Sequence, residues 1–271
     1  MRVVVLGGSG QIGKPLVSRL KLLNNEVKSI DIIDDTRYDL RNPTGDWVPL
    51  VKKSDFVFFL AFDVGGSKYL KKFEHTADFL NNNLRIMYNV FDKLSEYRVP
   101  FIFASSQMAR SNFSPYGSLK RIGEFYTQIL GGLTCRFWNV YGLEDDVFKQ
   151  HVISDFIQMA KLEGIIEMKT DGNESRQFLY VEDCVDALLT LMNSFDKLDK
   201  MNSYDVTSFE WTKIIKVAEI VAEHTGAIIK QSHSVDEVQL DSKHEPTNSI
   251  LDYWQPKTDL KRGIGFLVDL T

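Results

Sequence analysis

A doubly wound α/β sheet of parallel strands, followed by a smaller mixed α/β C-terminal lobe, is the fold class that this sequence of 271 residues predicts. Three observations carry it. Between residues 3 and 140, short β-branched and aromatic runs alternate with stretches of helical period. Those runs are almost continuously apolar, as strands buried on both faces of a parallel sheet must be. The first of them ends in glycines spaced Gly7-x-x-Gly10-x-x-Gly13, directly before a helical pattern.

The first strand, VVVL over 3–6, turns through those glycines into a helix over 15–23 that Asn24 and Asn25 close. A sharp strand-to-helix turn leaves backbone N–H groups pointing outward where the helix dipole adds partial positive charge, so it favours a phosphate. Glycine suits the turn because a side chain would hold a diphosphate off the backbone and the helix off the strand. Gln11 and Ile12 belong to the same turn. Residues 27–33 read as the second strand, with Asp31 inside it. An acidic residue about 20 positions after the glycines holds a ribose diol and repels a 2′-phosphate, so the expected cofactor of this Rossmann-type sheet is NAD rather than NADP.

Residues 38–40 read as a short third strand, or nearly as well as a surface turn, that sets Asp39 and Leu40 beside an adenine. A short helix over 47–53 precedes the strand DFVFFLA, 55–61, whose last residue, Ala61, meets the cofactor. The loop 62–66 then leaves the carboxyl end of the sheet, where ligands bind in this architecture. A long helix over 75–97, the strand FIFASS over 101–106, a helix from Pro115 to about residue 130 and a strand over 134–140 complete the alternation. Beyond it a helix over 152–161, a strand over 165–169, helices over 181–192 and 214–224, the latter ended by Gly226, and a return to the sheet over 204–207 are expected. Residues 238–271 read as a polar tail.

Hydrophobic residues make up 44% and charged residues 25%, ordinary for a soluble globular enzyme. A formal charge of -5 without a dense Lys/Arg block argues against nucleic acid, and no apolar run reaches the length of a membrane span. The chain begins directly with its first strand, so a cytoplasmic protein is expected. Cys135 and Cys184 read as small buried hydrophobes, and the five histidines show no ligand spacing, so no metal is expected.

Chemistry concentrates on the helix after FIFASS. Tyr116 and Lys120 are i and i+4, so both face one way. A phenol is a poor base at neutral pH, but an adjacent ammonium and a positive nicotinamide ring stabilise phenolate, letting Tyr116 take a proton from a substrate hydroxyl. Ser106 hydrogen-bonds the same oxygen in this reading. Ser105 stays open as the alternative, because adjacent strand residues point to opposite faces.

These residues resemble the extended short-chain dehydrogenase/reductase group, the NAD-dependent nucleotide-sugar epimerase/dehydratase family, over nearly the whole chain. Gly7, Gly10, Gly13 and Asp31 are similar to its cofactor fingerprint, and Ser106, Tyr116 and Lys120 to its Ser/Thr-Tyr-Lys triad. Asn83 resembles an asparagine in the corresponding helix. The run from Arg136 to Gly142, RFWNVYG, resembles a strand end where Asn139 meets the sugar diphosphate. The run from Ser175 to Asp183 resembles a segment that brings Arg176 to the diphosphate, and Ser105 and Gln107 fall beside the sugar. Trp254-Gln255-Pro256 is similar to the family's closing motif.

The resemblance implies a nucleoside-diphosphate sugar as substrate, residues 1–140 as the NAD-binding domain with 178–208 packing back on it, and 141–271 as the mainly substrate-binding lobe. It further implies a base-binding wall over 165–168. It also implies a homodimer in which two helices of each subunit pack together, with Phe125, Ile129, Phe91 and Leu94 supplying the apolar face; alternatively those residues only cover their own sheet. Gln107 and Met108 stand where dehydratases carry an acidic pair, which argues against dehydration. Met108 also stands where related enzymes acting at carbons 3 and 5 carry a cysteine, and Leu143-Glu144 where one of them carries a histidine, which puts that chemistry in doubt. Hydride transfer at C4 remains: a 4-epimerase is the leading expectation, a 4-dehydrogenase or keto-sugar reductase the alternative, and a non-catalytic dinucleotide sensor a reading of another class.

Overall fold

The structure, a computed structural model, describes residues 1–111, 113–144, 146, 148–234 and 244–271. Its centre is a parallel sheet built from β1 (Arg2–Leu6), β2 (Glu26–Ile30), β3 (Phe56–Phe59), β4 (Phe101–Ser106) and β5 (Leu133–Phe137), joined at the far edge by a strand from the C-terminal half, Ser203–Val206. In space β1 lies between β2 and β3, so the winding reverses at β1 and leaves a crevice at its carboxyl end.

Alternation along each strand divides the core. Val3 and Val5 of β1 and Phe56 and Phe58 of β3 face one way, where α1 (Gly13–Leu22) packs through Leu16 and Leu20. Val4, Leu6, Val57 and Phe59 face the other way, covered by α2 (Val48–Lys52) and, beyond α3 (Ser67–Phe73), by α4 (Ala77–Tyr97) and α5 (Pro115–Ile129). Phe58, Phe59 and Phe103 are all fully buried, each stabilising the fold by about 1.5–3 kcal/mol. Phe91 and Leu94 of α4 also lie in this layer at 1% and 2% exposure, so they cover their own sheet and are not open to a partner.

The chain leaves the main sheet at Trp138. The expected single strand over 134–140 is therefore two: β5, and β6 (Asn139–Tyr141), which pairs with β8 (Ser175–Tyr180) in a second sheet. Between them come α6 (Val152–Glu163) and β7 (Ile165–Glu167). Then α7 (Val181–Asn193) packs on α1, β9 (Ser203–Val206) pairs with β5, and β10 (Trp211–Lys213) returns to β8. The lobe is completed by α8 (Ile214–Thr225), ended by Gly226 at φ +76, by β11 (Ile228–Lys230) and by α9 (Leu260–Leu270). Its core is formed by Phe156, Ile157, Val217, Val221, Ile264 and Leu267. Ile166 and Met168 belong to that core rather than to a ligand wall.

Three expectations change. Residues 38–40 are no strand: Thr36–Tyr38 is a 3-10 turn, and Asp39 holds Arg41 in a paired ion bridge at 2.8 and 2.9 Å, which uses the carboxylate within its own turn. The second strand ends at Ile30, so Asp31 stands just beyond it instead of inside it. The polar tail contains α9, while residues 235–243 of that stretch lie outside the described residues.

Candidate active site

At the crevice after β1 the backbone closes tightly. Gly7 takes φ +87, donates its N–H to the Ile30 carbonyl at 2.8 Å, and lies so close to the end of β3 that a Cβ would sit 2.6 Å from the Ala61 nitrogen. A Cβ on Gly13 would sit 2.1 Å from the Gly7 oxygen. Both glycines are required by the approach of one backbone to another. Gly10 differs: a Cβ there would meet nothing nearer than 3.5 Å, so the protein's own packing does not demand glycine at this point of the cleft wall. Glycine there leaves the backbone open to the cleft.

Two further features agree. The first residue position before α1, Ile12, offers no capping oxygen, so the positive helix end is left for an anion. Gln11 Nε2, buried in the same wall, has no hydrogen-bond partner among the described residues. Across the crevice, Asp31 Oδ2 accepts the Ser9 N–H at 3.1 Å and Oδ1 the Ile33 N–H at 3.1 Å, fixing a carboxylate at the cleft. Asp34 accepts the Ser9 hydroxyl at 2.6 Å beside it. Gly7, Gly10, Gln11, Ile12, Gly13, Asp31, Asp39, Leu40 and Ala61 all line one cleft of about 1120 Å³. That volume exceeds what one small ligand needs, since small-molecule sites usually span roughly 300–1,000 Å³.

The same cleft contains Ser106, Gln107, Tyr116, Lys120 and Asn139. β4 ends at Ser106, whose hydroxyl accepts the Met108 N–H at 3.2 Å and hydrogen-bonds the Tyr116 phenol. Tyr116 sits in the first turn of α5, where Pro115 pre-sets the backbone and Ser114 accepts the Gly117 N–H at 3.1 Å. A buried carboxylate that spacing gave no hint of, Glu74, accepts the Ser114 hydroxyl at 2.8 Å and reaches the Tyr116 N–H at 3.4 Å. One turn on, Lys120 Nζ donates to the Ala104 carbonyl at 2.6 Å and lies 3.7 Å from the centre of the Phe62 ring. Asn83 holds the loop that carries Phe62, accepting the Asp63 N–H at 2.8 Å and donating to the Asp63 carbonyl at 3.1 Å.

The electrostatics depart from the expectation. Burial pushes the Tyr116 phenol up to about 12, partly offset by the Ser106 hydrogen bond, and the lysine does not bring it down. Burial also draws Lys120 down to about 7, against the opposing charge of Glu124.

Of the expected site residues, Arg176 is not brought to it, and Ser105 lines it without giving it a free hydroxyl. The Ser105 hydroxyl points to the other face, donating to Glu124 Oε1 at 2.6 Å, and Glu124 in turn takes two bonds from Arg136 at 2.6 and 2.7 Å; this resolves the alternative between the two serines in favour of Ser106. Arg176 is 8% exposed, lies outside the cleft wall, and donates to the Ser175 carbonyl at 2.8 Å because its strand packs between β6 and β10. Asn139 does reach the cleft, with Nδ2 donating to the Gln177 carbonyl at 3.2 Å.

A glycine turn at a sheet switch point with an acidic residue opposite it marks a dinucleotide-binding α/β fold, and Ser106 at the end of β4 meets Tyr116 and Lys120 of α5 in the same cleft. The family model for the NAD dependent epimerase/dehydratase family matches residues 3–207, more than half of the chain, and the chain belongs to that family. NAD is the family's cofactor, and the Gly10 cradle, the unpartnered Gln11 amide and the Asp31 carboxylate fit it. Among similar proteins, a GDP-L-fucose synthase of Sinorhizobium fredii is 26% identical over 97% of this chain and 93% of its own length. A UDP-glucuronic acid decarboxylase of Arabidopsis thaliana is 25% identical over 97% and 87%. A crystal structure of a UDP-galactose 4-epimerase superposes with a TM-score of 0.79 at 23% identity, covering 99% of this chain and 98% of the other. Among the described residues no helix is long and apolar enough to cross a membrane.

Proposed function

We propose that the protein interconverts the C4 hydroxyl and ketone of a nucleoside-diphosphate sugar, acting as a 4-epimerase. The observation that carries this reading is the meeting of Ser106, Tyr116 and Lys120 in the glycine-lined cleft, the last two one helical turn apart on α5. NAD, when bound, supplies the hydride acceptor for the sugar carbon. Tyr116 moves the proton of the C4 oxygen, and Ser106 holds that oxygen in line. Lys120 holds the ribose, and the charge it carries when protonated offsets the cost of a phenolate. Asn139 and Gln107 serve the sugar diphosphate.

A second reading is a 4-keto-sugar reductase, in which the same tyrosine donates its proton to the ketone oxygen. The exposed apolar residues Leu84 and Tyr88 of α4 and Ile122, Phe125, Tyr126 and Ile129 of α5 form the face on which a homodimer assembles.

Incubation of the protein and NAD with UDP-, dTDP- and GDP-hexoses, followed at 340 nm and by product NMR, tests the reading. A C4 epimer without net NADH supports the epimerase; NADH consumed only when a keto-sugar is supplied supports the reductase. Tyr116→Phe lowers turnover by about 10²-fold or more and keeps NAD bound; unaltered turnover refutes the mechanism.

A further inference from the structure

A helix leaves its first N–H groups without partners inside the helix, and in α5 those groups are met with unusual care. Pro115 has no N–H to offer, Ser114 takes that of Gly117 at 3.1 Å, and that of Tyr116 turns to Glu74 Oε2 at 3.4 Å. The same oxygen accepts the Ser114 hydroxyl at 2.8 Å, so one carboxylate holds both the capping serine and the residue that carries the phenol. The positive end of the helix dipole suits a negative charge there. Glu74 is 6% exposed and stands outside the cleft wall, with His75 Nε2 at 3.8 Å from its other oxygen. It is also firmly placed. Glu74 directly follows α3, whose opposite end is tied down where Gly66 donates its N–H to the Lys149 carbonyl at 2.9 Å and Lys68 pairs with Asp155 of α6 at 2.7 Å.

Stability alone does not account for this carboxylate. Taking a charge out of water costs free energy that its hydrogen bonds do little more than offset, and Ser114 is by itself an ordinary helix cap. What the bonds supply is position. On its other sides the first turn of α5 is already confined: a Cβ on Gly117 would sit 2.1 Å from the Met108 carbonyl oxygen, and the Phe62 ring meets the Tyr116 ring edge-on at 5.7 Å. We propose that Glu74 is a positioning residue for the C4 reaction: without touching sugar or cofactor, it fixes the first turn of α5 and thereby the pose from which the Tyr116 phenol moves its proton. The proposal rests on the C4 reading.

The test follows the phenol itself. The protein is labelled with 3-fluorotyrosine, the Tyr116 signal is assigned by its absence in Tyr116→Phe, and fluorine NMR of the NAD complex is set beside the kinetics of C4 interconversion by the unlabelled chain. Glu74→Ala is expected to shift and broaden that signal and to lower kcat by up to about 10²-fold, the cost of displacing a reacting group by about 1 Å. KM for the sugar nucleotide and the affinity for NAD should stay as they are. Glu74→Gln, which keeps an acceptor oxygen, should restore the signal and most of kcat. Ser114→Ala, which leaves the carboxylate only the Tyr116 N–H, should fall between the two and carries the test if Glu74→Ala does not fold. A signal and kcat unchanged in Glu74→Ala, with only its urea midpoint lowered, overturn the proposal. So does a moved signal with kcat intact, a kcat that falls together with NAD or sugar binding, or a Glu74→Gln no better than Glu74→Ala. A native chain that turns over no nucleotide sugar refutes the C4 reading instead, and the fluorine signal then decides by itself whether Glu74 fixes the phenol.

Discussion

Replacing Lys120 with methionine removes a buried charge at nearly constant volume. Lys120 is 3% exposed, and burial lowers its ammonium from the ordinary 10.5 to about 7, with Glu124 opposing. Between those two values the unfolded chain holds a proton that the folded chain does not, so stability rises with pH across the window and the penalty is complete below about pH 7. The difference corresponds to at most roughly 5 kcal/mol, at 1.36 kcal/mol per tenfold. Loss of the bond to the Ala104 carbonyl and of the contact over Phe62 returns about 2 kcal/mol of that. After relaxation of the site, cofactor-free Lys120→Met should be more stable than the native chain by about 2 kcal/mol at pH 7, and the gain should vanish near pH 9. Urea unfolding followed by circular dichroism at the two pH values measures both. A variant no more stable at pH 7, or a gain equal at both, refutes the argument that the charge is held at a cost.

Asp31→Ala removes the carboxylate that accepts the Ser9 and Ile33 N–H groups, and should weaken NAD about tenfold while narrowing its preference over NADP; titration of both dinucleotides by fluorescence checks it. Glu124→Gln leaves the Arg136 guanidinium buried against a neutral amide and should cost about 3 kcal/mol, read from urea midpoints, with Ser105→Ala costing far less. Phe125→Glu combined with Ile129→Glu puts charge on side chains that are 51% and 80% exposed. If the native chain is the proposed dimer, light scattering should then report a monomer, and an unchanged mass would show that this face only meets solvent.

What could be read from the chain was set locally. The glycine turn, the β4 strand and the i, i+4 placement of Tyr116 and Lys120 depend on neighbours in sequence, and each stands where periodicity and turn chemistry put it. At 38–40 the turn prevails over the strand because Asp39 holds Arg41 within its own turn, a competition that strand propensity does not express. Ser105 and Ser106 could not be separated without knowing which face of β4 looks into the cleft. The second lobe was the least legible, since β6 and β10 have three residues each and, like β8, find partners tens of residues away. In α9 the apolar period of Leu260, Ile264 and Leu267 was masked by Gly263 and Gly265; a Cβ on Gly263 would sit 2.0 Å from the Tyr141 hydroxyl, a requirement set by an element more than a hundred residues earlier. Glu74 carries no pattern at all, because what recruits it is tertiary.

The route of the backbone at Trp138 reaches further than the cleft. From there the chain stitches back and forth between its two cores, out at Trp138, in again where β8 meets α7, out after β9 and once more between Trp254 and α9. A garment sewn this way cannot be unpicked one panel at a time: neither half is a contiguous segment that could be produced alone. Cutting the gene at residue 140 would leave the large sheet without its edge strand and α1 without the helix that lies on it. The two halves must therefore be born and lost together, in one melting event.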